Sequence, residues 1–336
     1  MTVPARAEAA RMLAEKMSGA WIAQAIAVAA TLGIADLLRD GPLPVSALAQ
    51  RAGADPSALY RVLRALASQG IFAEDGDGCF ALTPLAEPLC RDVPGSQRAY
   101  AMMLGTPWHW RSWGELLFSV QTGKTAFDHV FGQPVFDYYA AHPEAQRMAG
   151  AALTNRSIAE DDAIVPSYDF AARSVVDIAG GQGSLLRAIL RANPDARGTL
   201  FERPPVLQSA RSLLEDAGVA DRCEVIAGDF FVGVPPGAEI YILKKVLHDW
   251  DDARAGTILR HCRAAMGEGA RLLIIETVVP PGNGPSFAKL LDLLMLVYAG
   301  GRERTEPEYR TLLARSGFEI QRIISTSAGI NLIEAQ

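Results

Sequence analysis

After Pro166 the chain changes character: short apolar runs alternate with segments of helix length. The runs are SVVDIA (174–179), GTLFER (198–203), CEVIAGD (223–229), EIYILKKVL (239–247), RLLIIETVV (271–279), EIQRIIST (319–326) and INLIEA (330–335). Strands covered on both faces read as near-continuous apolar stretches, and parallel neighbours need crossovers of a dozen or more residues. The first five runs are spaced for helical crossovers and the last two for a hairpin. This spacing predicts an α/β fold with a mostly parallel, doubly wound sheet. Ligands of such sheets bind beyond the carboxyl ends of the strands, so candidate functional residues belong at the strand ends.

The preceding residues read as mostly helical. From Ala7 to about Leu38 the apolar spacing predicts one helix, and WIAQAIAVAATLGIADLL has almost no charged face to offer water. Such a helix needs cover, which predicts a homodimer formed through the N-terminal domain. The next segment, LPVSALAQRAGADPSALYRVLRALASQGIFAEDGDGCFALT, reads as helix, turn, helix and a two-stranded wing. Its second helix carries Arg61 and Arg64, but Asp55 begins it and the wing tip holds Glu74, Asp75 and Asp77. Acids there repel phosphate, so the pattern argues for dimerisation and against nucleic acid. Residues 100–160 are rich in aromatics and methionines, suited to a flat apolar ligand pocket. The expected division is 1–105 (helical and winged-helix), 106–165 (helical linker and pocket segment) and 166–336 (catalytic).

A net charge of −6 and a pI near 5.5 give no attraction for nucleic acid or anionic membranes. The four cysteines are scattered, without zinc or disulfide spacing, and read as reduced core thiols. No signal peptide or run of 18 apolar residues is evident, so the expected location is cytoplasmic.

VVDIAGGQGSLLRAIL is a strand, a glycine turn and a helix, which lets the backbone approach a nucleotide-like ligand. The dinucleotide fingerprint asks for glycine or alanine three residues after Gly183, and Leu186 stands there, which weakens NAD as the ligand. Glu202 ends the second strand about 20 residues on, placed to accept from ribose hydroxyls. Asp229 and Phe230, in GDFF, suit an exocyclic amine and an adenine face. Three successive strand ends thus describe an adenosine pocket.

The ordered set DIAGGQG, FERPPV, GDFF, YILKKVLHDWDD, LLIIE and GGRERT, behind a winged-helix half, closely resembles the S-adenosylmethionine-dependent O-methyltransferases of the caffeate, acetylserotonin and bacterial polyketide-tailoring type. The resemblance covers nearly the whole chain. It implies a Rossmann-like seven-stranded sheet, S-adenosylmethionine as cofactor with S-adenosylhomocysteine as product, and a role in secondary metabolism. Carried onto this sequence, it implies cofactor contacts from Asp177, Ala179, Gly180, Gly181, Glu202, Asp229, Phe230 and Lys244. It implies His248 as general base, with Glu276 and Glu303 orienting it. Ala179 stands where the family usually has glycine, Glu202 replaces the usual aspartate, and ERPP departs from the usual D-L-P-x-V with no functional account for Arg203.

The chemistry agrees. A phenol with pKa about 10 is protonated at neutral pH, and an imidazole can take its proton as the oxygen attacks a methyl group. Glu276 ends the fifth strand beside the fourth, whereas Glu303 reaches His248 only if its loop folds back. Asp251 and Asp252 precede a helix and suit N-capping. Asp249, next to the base, is a candidate substrate contact. A histidine base makes a metal unnecessary, and none is expected. The acceptor, a small aromatic hydroxyl compound, is expected among Met103, Trp108, Phe127, Met148, Met295 and Tyr298; of these the resemblance supports Met295, and composition alone the others. The competing expectations are a ligand-responsive winged-helix regulator and a non-methylating tailoring enzyme on the same cofactor fold.

Overall fold

The computed structural model describes residues 3–171, 173–204, 206–207 and 210–336, so Pro205 of FERPPV lies outside the described residues. The chain forms two compact units, Met1–Arg111 with Tyr139–Arg156, and Ser112–Tyr138 with Ser157–Gln336.

In the first unit the single N-terminal helix expected from the sequence is three: Val3–Met17, Gly19–Thr31 and Ile34–Leu37. Apolar periodicity carries across both breaks and hides them. At the first, the Ser18 hydroxyl donates to the Glu15 carbonyl at 2.7 Å, a local alternative to helix continuation. At the second, Gly33 takes φ 68°, a left-handed conformation natural to glycine. Of this apolar region the chain itself covers Ala29, Ala30, Ile34 and Ala35, while Met17 and Trp21 are left 66% and 77% exposed. Helices Val45–Ala52 and Pro56–Ala67 follow. Asp55 caps the second by accepting from the Ala58 amide at 2.8 Å, and Pro56 gives up no needed donor in the first turn. Strands Phe72–Glu74 and Cys79–Leu82 form the antiparallel wing. Its turn is held by Asp75, whose carboxylate accepts from the amides of Asp77 and Cys79. Leu48, Leu59, Leu63, Leu66, Phe72 and Phe80 form its buried core.

The second unit is built on strands β1 (Ser174–Ile178), β2 (Arg197–Glu202), β3 (Cys223–Ala227), β4 (Ile240–Lys244), β5 (Arg271–Glu276), β6 (Ile320–Ser325) and β7 (Asn331–Ala335). They lie in the order β6-β7-β5-β4-β1-β2-β3. The first five are parallel, and β7 runs antiparallel to both neighbours. Alternate residues feed two apolar layers. Val176, Ile178, Tyr241 and Leu243 enter one; Val175, Leu200, Ile242 and Leu273 enter the other. Truncating a fully buried leucine such as Leu200 to alanine costs about 2–5 kcal/mol.

The fourth strand was expected to run to Leu247 but ends at Lys244. Lys245 turns to φ 53°, and the amides of Val246, Leu247 and His248 all donate to the Glu276 carboxylate, so they are lost to the ladder. Likewise the fifth ends at Glu276, and Val278–Val279 pairs instead with Arg304–Thr305. Cys90 and Cys262 are the core thiols expected, but Cys79 and Cys223 are only half-buried. Among the described residues no helix is long and apolar enough to cross a membrane.

Candidate active site

At the end of β1 the chain enters a turn that depends on small residues. Ala179 adopts φ 56°, costly for any residue with a Cβ, and its amide donates to the Phe201 carbonyl at 2.8 Å. A Cβ on Gly180 would lie 2.4 Å from the Asp177 carboxylate, so only glycine fits. Gly183 then opens the helix Ser184–Ala192. Glu202, ending β2, accepts from the Gly181 amide at 3.1 Å and from the Arg203 amide at 2.7 Å. Each oxygen of a carboxylate has two lone pairs, so capacity remains for a diol. At the end of β3 one Asp229 oxygen takes the Phe231 amide at 2.8 Å and Asp229 stays exposed, while Phe230 is half-buried with its carbonyl accepting from His261 Nδ1. Phe230 stands 6.2 Å from Trp250, and Arg254 lies over the Trp250 ring at 4.3 Å. Asp177 is 1% exposed with both carboxylate oxygens lacking a partner, and burial, aided by Asp161, pushes its pKa up to about 7. A cradle closed to side chains, a free-edged carboxylate at each of two strand ends and an orphaned buried acid suit a hydroxyl-rich, cationic ligand.

The catalytic candidates converge. His248 sits in a 3₁₀ turn, Leu247–Asp249, and is 8% exposed. Its Nδ1 meets Glu303 Oε1 at 2.7 Å, with Glu276 Oε2 at 3.5 Å. The loop of Glu303 thus folds back, which the sequence had left open. The two glutamates differ in work: Glu303 bonds the ring, while Glu276 Oε1 gathers three backbone amides at 3.0–3.3 Å and so shapes the turn. On the other side Asp249 Oδ1 lies 3.6 Å from Nε2. Burial by itself would lower the histidine pKa, but Glu276, Asp249 and Glu303 together outweigh it and raise it to about 10. Burial in turn raises Glu276 and Asp249, so the group titrates as a cluster. Asp251 is the N-cap expected, accepting from the Arg254 amide at 2.8 Å. Asp252 instead pairs with Arg304 at 2.9 Å.

The acceptor candidates divide between the units. Met103 and Trp108 are buried and Met148 half-buried in the first, where Trp108 packs 5.6 Å from Tyr139. Phe127, Asp249, Met295 and Tyr298 belong to the second. There Phe127 is fully buried, 5.4 Å from Tyr298 and 4.7 Å from Phe131. Met295 and Tyr298 lie on the helix Phe287–Tyr298, whose Asp292 accepts from the Glu303 amide at 2.9 Å.

Sequence reasoning missed Arg304 and the acids Glu160 and Asp161. Arg304 is fully buried and donates to the carbonyls of Leu247 at 2.9 Å and Trp250 at 2.8 Å, gripping the histidine turn from both ends. Gly301 completes the grip: a Cβ there would lie 2.0 Å from the His248 carbonyl, which accepts from the Arg302 amide at 2.8 Å. The only signal was an arginine beside a supposed catalytic acid. Glu160 and Asp161 gave none, because EDD on a helix reads as a solvated face.

Comparison with known proteins places the chain among methyltransferases. Residues 113–319 match the O-methyltransferase domain model and residues 14–92 the O-methyltransferase dimerisation domain model. The chain is 47% identical to the phenazine O-methyltransferase PhzM of Lysobacter antibioticus, over 97% of this chain and 95% of that protein. It is similar to the structure of the mitomycin 7-O-methyltransferase MmcR, with a TM-score of 0.92 and 41% identity, covering 100% of this chain and 99% of the other. It is also similar to CalO1, a methyltransferase of calicheamicin biosynthesis solved with S-adenosylhomocysteine bound, with a TM-score of 0.89 and 34% identity over 98% of each chain.

Proposed function

The chain belongs to the O-methyltransferase family, is an S-adenosylmethionine-dependent enzyme of the bacterial natural-product type, and on that premise we propose that it methylates a hydroxyl of a small aromatic or polyketide-type molecule with His248 as general base. When bound, S-adenosylmethionine supplies an electrophilic methyl group on a positively charged sulfur. Glu202 would hold the ribose, Asp229 and Phe230 the adenine, and the turn at Ala179–Gly181 the chain leading to sulfur.

The observation that carries the reading is the Glu303–His248 bond at 2.7 Å. With Nδ1–H donated to Glu303, Nε2 keeps its lone pair and accepts the hydroxyl proton as the acceptor oxygen attacks. The imidazolium that forms is stabilised by Glu303 and Glu276. The three surrounding acids raise the proton affinity of the ring above that of an ordinary imidazole, which favours uptake of the hydroxyl proton once the ring is neutral. A metal is not part of this reading, although ligand atoms of His248, Glu276 and Glu303 lie within 4.8 Å of one another. Nδ1 and Glu303 Oε1 already bond each other, and Glu276 Oε1 is occupied by three amides. Full activity after dialysis against a chelator is the expected result.

The test is a methyl-transfer screen over phenols, flavonoids, quinones, polyketides and arylamines, followed by His248→Ala with the best acceptor. A phenolic acceptor is expected, with turnover of the variant down by about 10²- to 10⁴-fold and cofactor affinity nearly unchanged. Methylation confined to arylamines overturns the hydroxyl acceptor, and wild-type turnover in the variant overturns the base.

A further inference from the structure

The proton on His248 Nδ1 is one donor among several acceptors. Glu303 Oε1 takes it at 2.7 Å, and Glu276 Oε1 is filled by the amides of Val246, Leu247 and His248. The other oxygen of each carboxylate, Glu276 Oε2 and Glu303 Oε2, is buried and has no hydrogen-bond partner among the described residues. The parallel pairing of Arg304 with Val278 brings these two acids together, each shortly before one of the paired residues. The same segment opens the helix Glu306–Arg315, whose buried face is Tyr309, Leu312 and Leu313. Tyr309 is fully buried, and its hydroxyl too has no partner among the described residues. Tyr241, equally buried in the same apolar layer, shows how the chain treats such a group elsewhere: its hydroxyl donates to the Ala265 carbonyl at 3.0 Å and accepts from the Ala238 amide at 3.3 Å. Burial, and after it the charges of Glu276 and Glu303, carry the Tyr309 hydroxyl well above the ordinary phenol value. Arg304 opposes them, although its nitrogens are directed to the Leu247 and Trp250 carbonyls and to Asp252. The hydroxyl therefore keeps its proton and stands as a donor beside two open acceptors.

A buried hydroxyl without a partner costs about as much as a lost hydrogen bond, and an open carboxylate oxygen costs more. A hydroxyl hydrogen turns about its C–O bond to suit the acceptors around it. We propose that Tyr309 is a positioning residue for the general base: its hydroxyl serves the open oxygens of Glu276 and Glu303 and, through them, holds and tunes the imidazole of His248. The inference rests on the reading of His248 as the base. A donor on a carboxylate stabilises its charge where it is, so less of that charge is left to favour the imidazolium. Tyr309 thus works against Glu276, Glu303 and Asp249, the acids that hold the ring protonated, and lets it become neutral at lower pH.

Tyr309→Phe keeps the aromatic ring and deletes the hydroxyl. Single-turnover rates across pH are expected to show an inflection moved to higher pH, by about three- to tenfold in proton concentration, with turnover at neutral pH down by the same factor. Affinity for S-adenosylhomocysteine, measured by calorimetry, should stay within about twofold. The same change made on Glu276→Gln and on Glu303→Gln should move the inflection less in at least one of the two, because the hydroxyl acts through those acids. Unfolding in denaturant puts the question without activity: loss of a bonded hydroxyl lowers the midpoint, whereas loss of an isolated one raises it. A midpoint above that of the wild type, an inflection unmoved or moved acidward, or an equal shift in all three backgrounds overturns the proposal. A wild-type profile that His248→Ala leaves unchanged removes the base itself, and the role of Tyr309 with it.

Discussion

His248 is held between opposing demands, burial against ionisation and three acids in favour of it, and the acids prevail. As a base it acts only when neutral. A raised pKa delays the neutral form to higher pH, so turnover should rise with pH through an inflection above the ordinary histidine value of about 6.5. Glu303→Gln removes a negative charge, so it should move the inflection acidward while lowering the plateau. Single-turnover rates across pH decide this; an inflection that stays put in the variant would separate Glu303 from the titrating group. Glu276→Gln tests a different role. It replaces an acceptor of three backbone amides, so it should cost stability, on the order of 1–3 kcal/mol by chemical denaturation, as well as rate. At the cofactor end, Glu202→Ala should weaken S-adenosylhomocysteine by about 1.5–3 kcal/mol, measured calorimetrically. Ala179→Gly should relieve a left-handed alanine and raise unfolding stability by about 1 kcal/mol; a less stable variant would show that the turn is not strained.

Among elements, the histidine turn matters most. It is fastened to the GGRERT segment by Arg304, by the Arg302 amide and by the close approach at Gly301. Arg304 acts through the turn, which makes it a positioning residue. Arg304→Met takes a donor from the Leu247 and Trp250 carbonyls and from Asp252, and should lower kcat while leaving KM for the cofactor nearly constant. Arg304→Lys restores charge but not the forked geometry, and should recover only part of kcat. If both variants raise the cofactor KM instead, the grip serves the cofactor cleft and not the base. Element boundaries were the least legible feature of the sequence. EIYILKKVL reads as one strand because Val246 and Leu247 are as apolar as Ile242. The strand stops where a carboxylate 30 residues away captures its amides, and no local pattern reports that.

For the whole molecule, the match to a dimerisation domain at residues 14–92 supports a homodimer, and the exposed Met12, Leu13, Met17, Trp21 and Val28 supply apolar surface for one. Removing residues 1–38 should yield aggregates, but it also removes core residues Ala29, Ala30, Ile34 and Ala35. Paired Met17→Glu and Trp21→Glu substitutions are gentler, since both side chains are exposed within the chain. They should shift the protein toward monomer in sedimentation, and any fall in unfolding midpoint should follow protein concentration as loss of the interface requires. A dimer that persists would place the interface elsewhere.

Much was readable without coordinates because it is written in short-range pattern. Strand spacing announced the parallel sheet, the Gly180–Gly183 run announced a tight turn, and the acid ending the fifth strand announced a neighbour for the turn that carries His248. Each depends on residues within one element and on the rule that places strand ends together. Tertiary structure decided what depends on distant segments meeting. It broke the N-terminal helix at Ser18 and Gly33, gave Glu303 the ring and Glu276 the backbone, and turned Arg304 inward. It also brought Asp161 to Lys244 across 83 positions of sequence. A carboxylate looks the same in sequence whether it will meet water or a buried ammonium; only the packing around it settles which.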